Sequence, residues 1–298
     1  MHPAPSIILF TSISGLGFGL LGVLCLGFPA VAGREAFLWF LAAYALAGGG
    51  LSLSLFHLGR PKRALKAFTQ WRSSWLSREA VVSTLTLAVS GIQALLIIFF
   101  SSGNSVLGVA AAALCVATVL CTAMIYAQLK TVPRWNHPLT PVQFLAFAIA
   151  GGTLLAGEDQ AAMAALAILA CVQMAAWLVG DQRILKSGST VESATRLGGP
   201  GIRSVRLLEP PHTGGNYLTR EMVFVVGRRH SRIIRSISIA SIGILPLFLL
   251  ALPLESAWAR PLVVALHING VLLSRWLFFA EAEHVVGLYY GKHGRVRR

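Results

Sequence analysis

About eight apolar stretches, each close to the roughly 20 residues that a helix needs to cross the hydrocarbon core of a bilayer, recur along this chain. That recurrence constrains the fold more than any other feature. Lipid offers no partner to a backbone N–H or C=O, so each crossing segment must satisfy its own polar groups, and helix is the element that does so. A barrel would show short alternating strands, and that pattern is absent. The expected spans are Ser6–Gly27, Glu35–His57, Glu79–Phe100, Val106–Gln128, Pro141–Gly157, Ala161–Gln182, Ser231–Pro253 and Pro261–Phe279, the last with a composition that can run on as helix towards Tyr290. Only 12% of the residues are charged and mean hydropathy is +0.70, against about 25% charged in a soluble domain. The reading is an all-α integral membrane protein, a single transmembrane domain over residues 1–298. The first run, Ser6–Leu26, follows no basic segment and is too long for a signal-peptide core, so it is expected to stay as the first span.

The net charge of +14 points to a membrane rather than to nucleic acid, because the cations lie between the apolar runs. An even number of spans places both termini on one side with the connections after spans two, four and six. Those hold Arg60, Lys62, Arg63, Lys66, Arg72 and Arg78, then Lys130 and Arg134, then Arg183 to Arg235, then Lys292 to Arg298. The other side keeps Arg34 and Arg260, with Glu35, Glu158, Asp159 and Glu255. The positive-inside rule makes the basic side cytoplasmic, N-in and C-in. Two connections there, 58–78 and 183–230, are basic and long. The second is rich in Gly, Pro and Arg, and reads either as a loop on anionic headgroups or as a docking surface for a partner. No phosphate loop occurs. Small residues Gly15, Gly17, Gly19, Gly48, Gly49, Gly50 and Ala110–Ala113 suit close helix contact.

Chemistry concentrates on the inner side. His57 ends span two and Glu79 begins span three; the loop between carries Arg or Lys at five positions before Arg78, and Trp71 and Trp75. Ionisable groups at that depth cost a few kcal/mol or more and are functional candidates by default. Histidine titrates near neutrality and burial disfavours a charged carboxylate, so the pair can pass protons to or from a lipid-soluble redox carrier. The plainer reading is an ion pair that closes two helix ends. Arg275 lies towards the inner end of span eight, among aromatic residues, and calls for a carboxylate partner, with Glu79 or Glu281 nearest in depth. Tyr126 and Trp135 read as interface-belt residues, or as flanks for a planar ring. His57 and His267 sit at opposite ends of their spans, which argues against a haem held between them. Cys25, Cys115, Cys121 and Cys171 lie in apolar runs without a CxxC pair, so neither disulfide, iron–sulfur cluster nor other metal site is expected.

With these residues in view, the chain resembles the membrane-anchor subunits of the dimethyl sulfoxide reductase family. The resemblance rests on His57–Leu58–Gly59–Arg60–Pro61, Arg63–Ala64, the run Ser73 to Glu79, Tyr126 through Thr131–Val132–Pro133–Arg134–Trp135, and Arg275 to Glu281 with His284. It implies an eight-span anchor of a molybdopterin oxidoreductase, itself without metal. Such an anchor binds quinone or quinol, either menaquinone or ubiquinone, in a bacterial cytoplasmic membrane. It exchanges electrons with an iron–sulfur subunit that serves a molybdenum catalytic subunit, both on the cytoplasmic face. The family's quinol-site His and Glu fall on His57 and Glu79, and its motif Gly and Arg on Gly59 and Arg63. The quinone-binding set implied for this chain is His57, Gly59, Arg60, Arg63, Trp71, Arg72, Trp75, Glu79, Tyr126, Arg275 and Glu281. The N-terminal Met1–His2–Pro3–Ala4–Pro5 and the Trp-rich run look closer to the anchors of sulfite-oxidising complexes, with S- or N-oxide reduction the other chemistry the family serves.

If electrons and protons both use the inner face, turnover moves little net charge. An ion-translocating relative would need a polar path through the spans, for which Arg275, His267, Asn269, Gln93, Gln143 and Gln173 look sparse. A secondary transporter would favour midplane breaks and inverted repeats, for which Pro246 and the glycines are weak signs.

Overall fold

A computed structural model describes residues 1–54, 61–197, 205, 208–209, 214, 216–218, 222, 230–253 and 258–290, with backbone only at 61–64. Among these, eight helices are long and apolar enough to span a membrane: α1 Pro5–Cys25, α2 Gly33–Leu53, α3 Trp75–Phe100, α4 Ser105–Ala127, α5 Leu139–Ala156, α6 Asp159–Lys186, α7 Ser231–Ala251 and α8 Ala259–Ala280. No strand occurs among the described residues. The expected spans are therefore present to within a few residues.

Local chemistry explains the ends. Ser74 and Asn104 accept from backbone N–H groups three residues on and cap α3 and α4, while Gly157, at φ 83°, closes α5 in a left-handed turn. Span three begins four residues earlier than expected, so Glu79 lies inside the helix instead of at its start. Span eight stops at Ala280 and is followed by a separate 3₁₀ turn, Val285–Tyr290, so the continuous run to Tyr290 is not formed. α7 is continuous but carries a π-helical turn at Ala240–Ile244, just before Pro246.

α1 is the central helix, packed against α2, α4, α5 and α8. Without a hydrophobic drive between helices in lipid, close approach of backbones does the work. A Cβ at Gly19 would collide with the Ala148 carbonyl, Gly152 meets Gly19 from the other side, and a Cβ at Gly50 would enter the Ser14 backbone. Gly17 likewise faces Ala47, whereas Gly15, Gly48 and Gly49 face open space and play no such part. Across α1, α2–α4 form one half of the bundle and α5–α8 the other. The N-terminal ammonium donates to the carbonyls of Phe279 (3.1 Å) and Ala282 (2.7 Å). The chain start and the end of α8 thus share one end of the bundle, as an even number of crossings requires. At the opposite end Arg260 of α8 pairs with Asp159 of α6 at 2.9 Å.

Candidate functional site

Two buried polar side chains, Glu79 and Arg275, and the partly buried Tyr126 lie near the end of the bundle where α3 begins and α4 and α8 end. Glu79 of α3 is 4% exposed and faces α4, where the Thr122 hydroxyl donates to its carboxylate. One turn along the same face of α4 lies Tyr126. Its ring is edge-on to Trp135, Phe278 and Phe279 at 5.3–5.5 Å and tilted against Phe144 at 5.7 Å. Trp135 stacks on Phe278 at 5.1 Å and donates its indole N–H to the Phe278 carbonyl at 2.9 Å. At 2% exposure Trp135 is a core residue, and the interface-belt reading does not hold for it.

Arg275 of α8 completes the group. It is also 2% exposed, and its guanidinium lies 3.6 Å from the Phe144 centroid and 4.5 Å from that of Phe147. Its Nε and Nη1 have no hydrogen-bond partner among the described residues. The carboxylate partner expected for it is absent among them: Glu79 is held by Thr122, and Glu281 by other arginines. An Arg at a span centre costs about 2.5–3.5 kcal/mol on insertion scales. Two desolvated cation–π contacts of about 2 kcal/mol each offset that cost without a counter-ion. Tyr126 lies between the two: it follows Thr122, the partner of Glu79, by one turn of α4, and its ring packs on Phe144 and Phe278, which also face the Arg275 guanidinium.

Glu281 belongs to a neighbouring assembly. It accepts from Arg235 Nε at 2.7 Å and faces Arg134 Nη1 at 3.3 Å. Asp181 bridges the same two arginines, at 2.6 Å from Arg235 and in direct contact with Arg134. This alternation of charge ties α6, α7 and α8 to the connection after α4, a structural role. His137 and His284 lie beside it in the connecting segments. Burial holds both histidines below the usual range, with the Arg183 charge adding to it at His137 and the N-terminal ammonium at His284.

His57, Gly59 and Arg60 lie outside the described residues. Arg63 falls in a 3₁₀ helix, Pro61–Phe68, that packs on α3. Trp71 and Arg72 are at the surface, and Trp75 is partly covered by the Arg78 guanidinium at 4.3 Å. Arg78 also donates to the carbonyls of Trp71 (3.0 Å) and Arg72 (2.8 Å), closing the turn that enters α3. The structure thus brings Glu79, Tyr126 and Arg275 together, and leaves Trp71, Arg72 and Glu281 outside that group. Thr122, Phe144, Phe147, Asp181 and Arg235 carry no mark in the sequence; their partners are distant along the chain, and no local spacing singles them out.

The sequence profile of the DMSO reductase anchor subunit (DmsC) matches residues 3–193, well over half of the chain. This chain belongs to the DMSO reductase anchor subunit family. A full-length comparison agrees: it is 33% identical over 328 aligned residues to the sulfite dehydrogenase C subunit of Allochromatium vinosum, covering 97% of this chain and 99% of that protein. No solved structure matches significantly. Glu79, Thr122 and Tyr126 fall within the DmsC match, while Arg275 and Glu281 lie beyond it, in the part of the chain that only the longer alignment reaches. This DmsC-family protein is thus a multi-pass membrane anchor of a molybdoenzyme complex, which implies catalytic partners.

Proposed function

We propose that this anchor carries the quinone-reactive site of its complex, at the end of the bundle where Glu79, Tyr126 and Arg275 meet. A quinone or quinol supplies the redox chemistry there by exchanging paired electrons and protons. One observation carries the reading: a guanidinium buried on aromatic rings leaves its Nε and Nη1 without a hydrogen-bond partner among the described residues, on the same end of the bundle as the buried Glu79 carboxylate. Donors of that kind fit a carbonyl acceptor, and the Phe and Tyr rings fit a planar apolar ring. Glu79 exchanges the protons, Arg275 holds a carbonyl oxygen, and Tyr126 fixes the distance between them. His57, Gly59, Arg60 and Arg63 are proposed to bind the same ring, as the family resemblance implies.

Electrons pass to or from an iron–sulfur subunit docked on the basic end of the bundle, next to a molybdenum catalytic subunit, on the cytoplasmic side of a bacterial inner membrane. The name of the Allochromatium relative favours sulfite oxidation over S- or N-oxide reduction. The test is titration of the purified complex with a fluorescent quinol-analogue inhibitor. Saturable quenching near one equivalent is expected, and loss of it in Glu79→Gln and in His57→Ala with assembly intact. Quenching unchanged in both variants would move the site elsewhere.

A further inference from the structure

The buried face of α3 does not stop being polar above Glu79. Ser83, Thr86, Ser90 and Gln93 follow it at spacings of four and three residues, and all are at most 5% exposed. At about 1.5 Å per residue, Gln93 lies roughly 21 Å along the axis from Glu79, most of a hydrocarbon core. α4 and α2 add hydroxyls to this face. Thr122 holds Glu79, Thr118 Oγ1 lies 2.8 Å from Thr86 Oγ1, and the Tyr44 hydroxyl lies 2.7 Å from Ser90 Oγ. Gln93 accepts from the Asn104 backbone N–H at 3.1 Å, in the turn between α3 and α4 at the far end. It also lines a cavity of about 320 Å³ there, with Cys25, Gly103 and Ser105.

We propose that this seam is a proton path joining Glu79 to the aqueous face at the Gln93 end; it rests on the assignment of Glu79 to the quinone site. Each hydroxyl both donates and accepts, the property a relay needs, and the seam named above holds no fixed charge between Glu79 and the cavity to trap an ion. Three gaps of about one turn, from Thr122 to Thr118, from Thr86 to Ser90 and from Ser90 to Gln93, are each the span of a bridging water between polar groups. Helix glue alone needs fewer groups and no cavity at its end. Amides and charges alone make such a path look sparse in the sequence, because its steps are hydroxyls; of the sequence candidates only Gln93 belongs to it. Gln143, Gln173 and Ser274 instead form a separate cluster in the other half of the bundle. In balance, each quinone reduced takes two electrons from the iron–sulfur partner and two protons through Glu79 from the Gln93 face. Each quinol oxidised runs the same steps backwards. Turnover then moves charge across the membrane, contrary to the expectation of a single-sided exchange.

The test uses the whole complex in vesicles with its catalytic subunits outward, an impermeant reduced viologen as electron source, a short-chain quinone as acceptor, and a pH dye inside. Wild type is expected to alkalinise the lumen in step with viologen oxidation. Thr86→Val with Ser90→Ala should lower the lumenal change tenfold or more, while quinol-analogue quenching stays unchanged and Thr86→Ser restores flux. Turnover with protons drawn only from the medium would overturn the path and leave the quinone site standing. Failure of the analogue to bind wild type would remove the site and the path together. Lumenal flux that survives the double variant would also overturn the path.

Discussion

The Arg275 guanidinium sits 3.6 Å from the centre of the Phe144 ring, a helix away, with no carboxylate at hand among the described residues. A buried charge held by ring faces is a poor stabiliser, since replacing a buried ionic group by an apolar one of similar volume is often neutral or better. Arg275→Leu is therefore expected to leave thermal stability within about 1 kcal/mol of wild type. Quinol-analogue affinity should fall at least tenfold. Arg275→Lys keeps the charge but loses the planar fork and should not restore it. A large drop in melting temperature with affinity preserved would make Arg275 structural.

The network at the end of α8 predicts an asymmetry. Glu281 is 5% exposed at its side chain and Asp181 is 45% exposed, yet both touch Arg134 and Arg235. Glu281→Gln is expected to cost about 3 kcal/mol, near the low end for breaking a buried pair. Asp181→Asn should cost about 1 kcal/mol because solvent screens it. Thermal unfolding of the two variants side by side checks the order, and equal losses would refute the burial argument.

His137 and His284 each accept a backbone N–H through Nδ1, from Leu139 and Val286 at 3.1 Å. Protonation removes that acceptor. Both are held below the usual range in the folded protein, so the unfolded chain binds their protons more readily. Their contribution is intact above about 6.5, the ordinary value, and is lost as pH falls below it. The hydrogen-exchange protection factor of Val285, whose N–H bonds the Thr131 carbonyl at 3.0 Å, should fall between about pH 7 and 5 once the slower intrinsic exchange at low pH is divided out. In the His137→Gln, His284→Gln double variant it should not.

Packing around α1 offers a paired control. Gly19→Ala places a methyl group against the Ala148 carbonyl, while Gly15→Ala meets nothing within 4 Å. The first is expected to reduce the yield of folded protein severely, and the second to leave it unchanged. Size-exclusion profiles in detergent read both.

Much of the candidate site is legible in the sequence. Glu79 and Arg275 stand out because an ionisable group inside a roughly 20-residue apolar run has a cost that demands a reason. Their surroundings are not legible. Trp135 looks like a belt residue in a polar connection, and its burial follows only from the approach of Phe278, 143 positions away. Glu281 looks like the natural partner for Arg275, since it follows at the end of the same helix, but it turns to arginines of the connection after α4 and of α7.

The apolar periodicity by itself determined that this chain crosses a membrane as about eight helices, because lipid leaves the backbone no alternative. It also set which end is basic, since most of the charge has to reside between spans. Which side chains meet inside the bundle was decided by tertiary structure alone. A span-length helix offers every face to possible neighbours. The small residues at the α1 contacts, chiefly Gly17, Gly19 and Gly50, select which backbones come close to α1, among them α5 with Phe144, while Thr122 reaches Glu79 through the direct packing of α3 on α4.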